Sequence, residues 1–157
     1  MKTKKFFSLI FFIVVCNLAG AMGALLTATG EGSWYMNLVK PSFNPPGWLF
    51  GPVWTMLYIL MGIAVWMIWQ QKKDKKIKIA LNLFWLQLVL NAIWTPVFFG
   101  LENTGVALGI IIVLWLVLLV TIIKFWQIKK TVAGLLVPYI LWVSFASVLN
   151  FAIWWLN

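Results

Sequence analysis

Five apolar stretches, each about the twenty residues that a bilayer's hydrocarbon core requires, run approximately over residues 6–27, 48–70, 79–99, 105–125 and 132–156. A chain built this way has few options. In hydrocarbon every backbone polar group must be satisfied within the protein, which leaves helices or a closed barrel. Barrel strands alternate polar and apolar residues over about ten positions, and a segment such as Gly109 to Val120 (GIIIVLWLVLLV) does not alternate. The expected fold is therefore all-α and integral to the membrane. It is a single domain over residues 1–157, a bundle of five transmembrane helices with a long structured first loop.

Charge gives the topology. The lysines cluster at Lys2, Lys4 and Lys5, then at Lys72, Lys73, Lys75, Lys76 and Lys78, then at Lys124, Lys129 and Lys130. The two intervening gaps hold only Lys40 with Glu31, and Glu102. By the positive-inside rule the N-terminus is expected in the cytoplasm and the first loop and C-terminus outside. The net charge of +9 does not point to nucleic acid, because arginine is absent and the lysines form short clusters flanking apolar spans. Membrane lipid, through its anionic headgroups, is the partner such clusters fit. Lys2 to Lys5, the apolar run and Ala19-Gly20-Ala21 also have the order of a signal peptide. The apolar run continues past that point, so a retained first helix is expected.

With 64% hydrophobic residues, a mean hydropathy of +0.99 and three acidic residues, little catalytic chemistry is available. No Asp or Glu falls inside a span, which leaves a carboxylate-based proton pump nothing to work with. Cys16 is the only cysteine and histidine is absent, so intramolecular disulfides and Cys/His metal sites are excluded. No metal site and no required cofactor are expected.

Polar residues inside the spans fall on stripes. In the second span Gly51, Trp54 or Thr55, Tyr58 and Gly62 share a face by three-and-four spacing; in the third, Gln87, Asn91, Trp94 and Thr95 do; in the fifth, Trp142, Ala146 and Asn150 do, with Ser147 beside them. Amides facing hydrocarbon are costly unless they meet another helix or a cavity. Two readings stay open: these groups are packing contacts between helices, as the Gly105/Gly109 pair is expected to be, or they line one cavity under the first loop. Trp54 and Trp142 favour the cavity, since each is large and its indole N–H needs a partner. Of the other tryptophans, Trp34, Trp48, Trp66, Trp69, Trp126, Trp154 and Trp155 are expected as interfacial anchors. Pro41, Pro45 and Pro46 stiffen the loop, which is expected to act as a lid or as a simple linker.

Three strings identify a family. Trp34 to Tyr58 (WYMNLVKPSFNPPGWLFGPVWTMLY), Asn91 to Gly100 (NAIWTPVFFG) and Val137 to Trp142 (VPYILW), with Leu149-Asn150, resemble the TspO/MBR family of bacterial tryptophan-rich sensory proteins and mitochondrial translocator proteins. The resemblance spans essentially the whole chain. It implies a five-helix bundle, often homodimeric, in a bacterial cell membrane, with a pocket for tetrapyrroles such as protoporphyrin IX and for hydrophobic aromatic drug-like molecules. The implied ligand-binding residues are Tyr35, Pro45, Phe50, Trp54, Asn91, Trp94, Trp142 and Ala146, and the stripes add Tyr58 and Asn150 to them. Sensing, transport and light-dependent porphyrin breakdown are all implied activities, the last making Trp54 and Trp142 photochemical partners of the excited porphyrin. Haem is disfavoured against the metal-free ring, because axial ligation would fall to Cys16, a tyrosine or a methionine. Sterol binding is not expected: the pattern linked to it in mitochondrial members needs a Lys or Arg soon after a tyrosine in the last helix, and none follows Tyr139.

Overall fold

Each apolar span becomes a helix because only a helix closes its own hydrogen bonds in lipid. A computed structural model describes residues 2–25, 32–72 and 74–157. Residues 26–31, where the first span was expected to end and the loop to begin, lie outside the described residues, as does Lys73. The elements are α1 (Lys2–Leu25), α2 (Trp34–Asn37), α3 (Gly47–Trp69), α4 (Lys75–Thr95) with a π-helical turn (Pro96–Gly100), α5 (Thr104–Ile128), α6 (Lys130–Gly134) and α7 (Val137–Leu156). Five segments are long and apolar enough to cross a membrane: α1, α3, α4 with its π turn, α5, and α6 with α7. The expected five-helix membrane bundle is the fold.

Short polar residues set the boundaries. The Asp74 carboxylate accepts from the Ile77 N–H at 2.8 Å and starts α4; the Asn103 side chain accepts from the Val106 N–H at 2.9 Å and starts α5. Two prolines break what was read as continuous. Pro138 cannot donate, and its ring clashes with the carbonyl four residues back. The last span accordingly divides at Gly134, with a turn over 135–136 between α6 and α7. Pro96 does the same to α4, where the Leu101 N–H reaches the Pro96 carbonyl at 2.9 Å in a wider π turn.

Packing runs α3 to α1, α1 to α4, α4 to α5 and α5 to α7, with α6 closing back on α3 at the lysine-rich end. Small residues allow the closest crossings. A Cβ on Gly62 of α3 would stand 2.6 Å from the Ile13 Cα of α1, and one on Gly20 would enter the Tyr58 ring. The core includes Cys16, Met61, Ile68, Phe84, Leu118, Phe125 and Tyr139, all fully buried. Between α3 and α7 few backbone positions come close. Side chains bridge that seam.

Candidate functional site

What bridges the seam is aromatic. Trp54 of α3 stands 6.5 Å from Trp142 of α7, centroid to centroid, and perpendicular to it; Phe50 lies 5.9 Å from Trp142 and Trp142 lies 5.4 Å from Phe145. Rings do this because no aliphatic side chain spans such a gap while keeping van der Waals contact on both sides. Trp54 also stacks on Tyr58 at 5.5 Å, which sets its plane. Thr55, the alternative for this face, points out and returns its hydroxyl to the Gly51 carbonyl at 2.9 Å.

A small cavity of about 30 Å³ lies among these rings, lined by Tyr35, Phe50, Trp54, Trp94, Phe98, Phe99, Trp142, Ala146, Leu149, Asn150 and Ile153. That is room for about one or two waters. Its wall is mostly apolar; the polar groups of Tyr35, Trp94 and Asn150 on it are hydrogen-bonded, and the Trp142 indole N–H is buried without a hydrogen-bond partner among the described residues. An unpaired buried donor costs about 1–3 kcal/mol, and a ligand acceptor would recover that cost.

The first loop is a lid. Its helix α2 sits on the π turn, with Trp34 6.0 Å from Phe98 and Tyr35 5.2 Å from Phe99. Phe43 reaches Phe145 of α7 at 6.4 Å. The Tyr35 hydroxyl donates to the Asn44 carbonyl oxygen at 3.1 Å and so ties the two limbs of the loop together. Burial raises the Tyr35 pKa above its ordinary value, opposed by that hydrogen bond, so the phenol is a neutral donor at physiological pH. Lys40 turns back on the loop: its ammonium donates to the Met36 and Leu38 carbonyls, each at 3.2 Å, and lies 4.8 Å over the Tyr35 ring. It stabilises the lid.

Seven of the ten anticipated pocket residues therefore line the cavity: Tyr35, Phe50, Trp54, Trp94, Trp142, Ala146 and Asn150. Asn150 is also a packing residue, accepting from the Trp94 indole at 3.1 Å and donating to the Thr104 carbonyl at 2.8 Å. Tyr58 and Asn91 stand behind the wall in a buried network. The Tyr58 hydroxyl donates to the Asn91 carbonyl oxygen at 2.6 Å, Asn91 donates to the Tyr139 hydroxyl at 3.0 Å, and Tyr139 donates to Gln87 at 3.0 Å. Pro45 belongs to the lid, where its carbonyl accepts from Asn44 at 3.1 Å. Gly51 and Gly62 share no cavity face, since Gly51 has open space beside it and Gly62 abuts α1. Trp34, expected near the membrane surface, is half-buried in the loop against Phe98.

Four lining residues were not anticipated: Phe98, Phe99, Leu149 and Ile153. Phe98 continues the Trp94 spacing by four, and Leu149 and Ile153 continue the Trp142/Ala146 stripe by three and four. Phe99 has no such signal. It faces the lid because the π turn widens the helix there.

A model of the TspO/MBR family matches residues 12–156. The chain is 40% identical to the tryptophan-rich protein TspO of Chlorobaculum tepidum, over 98% of each chain. It is 38% identical to the tryptophan-rich sensory protein of Cereibacter sphaeroides, over 93% of this chain and 89% of that one. It is 37% identical to the translocator protein of Bos taurus, over 91% of this chain and 86% of that one. A five-helix membrane bundle whose loop closes over a tryptophan-walled seam, matched by these relatives along nearly its whole length, belongs to the TspO/MBR family.

Proposed function

We propose that the seam between α3 and α7 binds tetrapyrroles such as protoporphyrin IX, and flat aromatic drug-like molecules, and that the protein serves as a membrane receptor or sensor for them. The carrying observation is the pair Trp54 and Trp142, perpendicular rings in an apolar cavity under a lid, with the Trp142 N–H unpaired. Flat apolar ligands stack on such walls, and a single convergent donor fixes their orientation. A macrocycle is far larger than 30 Å³, so binding is coupled to parting of the rings and lifting of the loop. The only metal-ligating side chain on the wall is Tyr35, which favours the metal-free ring over haem. The lysine distribution orients the lid outward in a bacterial cell membrane, with the N-terminus cytoplasmic. A homodimer fits Gly109, exposed on α5 with open space beside it, where two backbones can approach.

Light-dependent breakdown is the second reading, and the contact of Trp54 with both Trp142 and Tyr58 favours it. An excited porphyrin stacked on Trp54 can take an electron from the indole; the protein then participates as a reductant. Transport has only the name of the translocator relatives behind it.

Titration with protoporphyrin IX in the dark, read by porphyrin absorbance, tests the first reading; illumination of the same samples tests the second. Trp142→Phe keeps the stacking face and removes the donor, so affinity should fall about fivefold for one hydrogen bond. Trp54→Phe together with Trp142→Phe should abolish any photoproduct. Unchanged dark affinity in Trp142→Phe would move the ligand out of this seam, and an unchanged photoproduct in the double variant would remove both indoles from the chemistry.

A further inference from the structure

At the lysine-rich end, across the bundle from the aromatic seam, α3 and α4 leave an open groove of about 520 Å³. Trp69 of α3, the α4 cap Asp74, and Lys75, Ile77, Lys78, Leu81, Asn82 and Trp85 of α4 line it. Lys75, Lys78, Asn82 and Trp85 are spaced three, four and three, which places them on one stripe of α4 about 15 Å long. Along that stripe the chemistry changes in order, from two ammonium groups to an amide to an indole.

Each step has an unmet requirement. Lys72, Lys75, Lys76 and Lys78 are exposed, and the one nearby carboxylate, Asp74, is engaged in capping α4. Asn82 carries an exposed amide three residues into the apolar span 79–99, with no hydrogen-bond partner among the described residues. An amide facing hydrocarbon is costly unless something accepts its protons. The groove floor is rigid, because Phe12 of α1 packs on Trp69 at 5.6 Å and on Trp85 at 6.2 Å.

We propose that this groove holds one anionic phospholipid. Its phosphate lies between Lys75 and Lys78, its ester oxygens accept from Asn82, and one acyl chain follows Leu81 and Trp85. The cationic mouth selects a net negative headgroup over a zwitterionic one, and the apolar floor distinguishes a lipid from free phosphate. Topology alone would make these lysines a diffuse anchor. Lys129 and Lys130 supply the comparison: exposed at the same end, they do not line this groove, and Lys130 rests on Trp126 at 5.5 Å. Nothing here depends on the ligand of the aromatic seam.

Native mass spectrometry of the detergent-solubilised protein decides it, with phosphatidylglycerol and phosphatidylcholine added in turn and inorganic phosphate as competitor. The parent protein should keep one phosphatidylglycerol about thirtyfold more tightly than phosphatidylcholine, the combined effect of two lysines at a membrane surface. Lys75→Gln with Lys78→Gln should erase that preference, and Asn82→Leu should weaken phosphatidylglycerol severalfold with no change of charge. Lys129→Gln with Lys130→Gln, an equal loss of charge, should leave it intact. The buried Cys16 thiol, unreactive while the bundle is folded, confirms that each variant is native. Equal losses in the two lysine pairs would overturn the proposal in favour of diffuse attraction, and displacement by millimolar phosphate would overturn it in favour of a bare anion site.

Discussion

The α1–α3 crossing and the α3–α7 seam share a helix and are built by opposite means. Where α3 meets α1, Gly62 brings two backbones into contact and the neighbouring core residues Met61, Val65 and Ile68 have no exposed surface. Where α3 faces α7, few backbone positions come close, half-buried rings fill the space, and one indole N–H has no hydrogen-bond partner among the described residues. A backbone contact has no rotamers, so it is either made or lost. Rings can rotate and part. One helix thus carries a fixed edge and an adaptable one, and an intramembrane pocket beneath a lid needs both.

The largest effect should come from the fixed edge. Gly62→Leu drives a side chain into the Ile13 backbone, which cannot yield as a flexible side chain would. Overpacking of this kind costs about 3 kcal/mol, and reaction of the Cys16 thiol with a dye on heating should show a much lower unfolding temperature. Gly51→Leu, on the same helix with open space beside it, should leave that temperature nearly unchanged. Equal behaviour of the two variants would erase the distinction between the edges.

Ala146→Trp acts on the adaptable edge. Ala146 is 6% exposed and lines the cavity opposite Trp54 and Phe50. A second indole there occupies the ligand's space while the rings beside it rearrange, so folding should survive. Porphyrin affinity should fall by more than about tenfold, or roughly 1.4 kcal/mol. Loss of the folded protein would mean that the seam is packed as rigidly as the α1–α3 crossing.

Much of this was legible in the sequence, and the reason is contrast. A polar or bulky aromatic residue in an apolar span stands out, so the stripes through Trp54, Asn91 and Trp142 could be drawn before any coordinates. Leu149, Ile153 and Phe98 continue those stripes but carry no contrast of their own, because an apolar residue facing a cavity and one facing lipid look alike. The roles of the amides were equally hidden. Spacing puts Asn91 on the inner face, but only the fold shows its two hydrogen-bonding groups consumed by Tyr58 and Tyr139, behind the pocket wall. Pro96 and Pro138 interrupt spans that the apolar pattern left continuous; that the first becomes a π turn aiming Phe99 at the lid follows from tertiary packing.

The smallest effect concerns the lid's far attachment. Asn157 holds the loop by a matched pair, accepting from the Val39 N–H at 2.9 Å and donating to the Val39 carbonyl at 3.0 Å. Both bonds are exposed, where water competes, so Asn157→Ala should release about 1 kcal/mol in total. That is too little to unfold a lid also held by Tyr35 against the π turn and by Phe43 against α7. It is enough to raise the population of the lifted lid about fivefold. If ligands enter beneath the loop, stopped-flow mixing with protoporphyrin IX should show association faster by about that factor, with dissociation little changed and affinity tighter in proportion. An unchanged association rate would place the entrance between α3 and α7 on the lipid-facing side, where the rings alone are the gate and an apolar porphyrin dissolved in the bilayer never meets the loop.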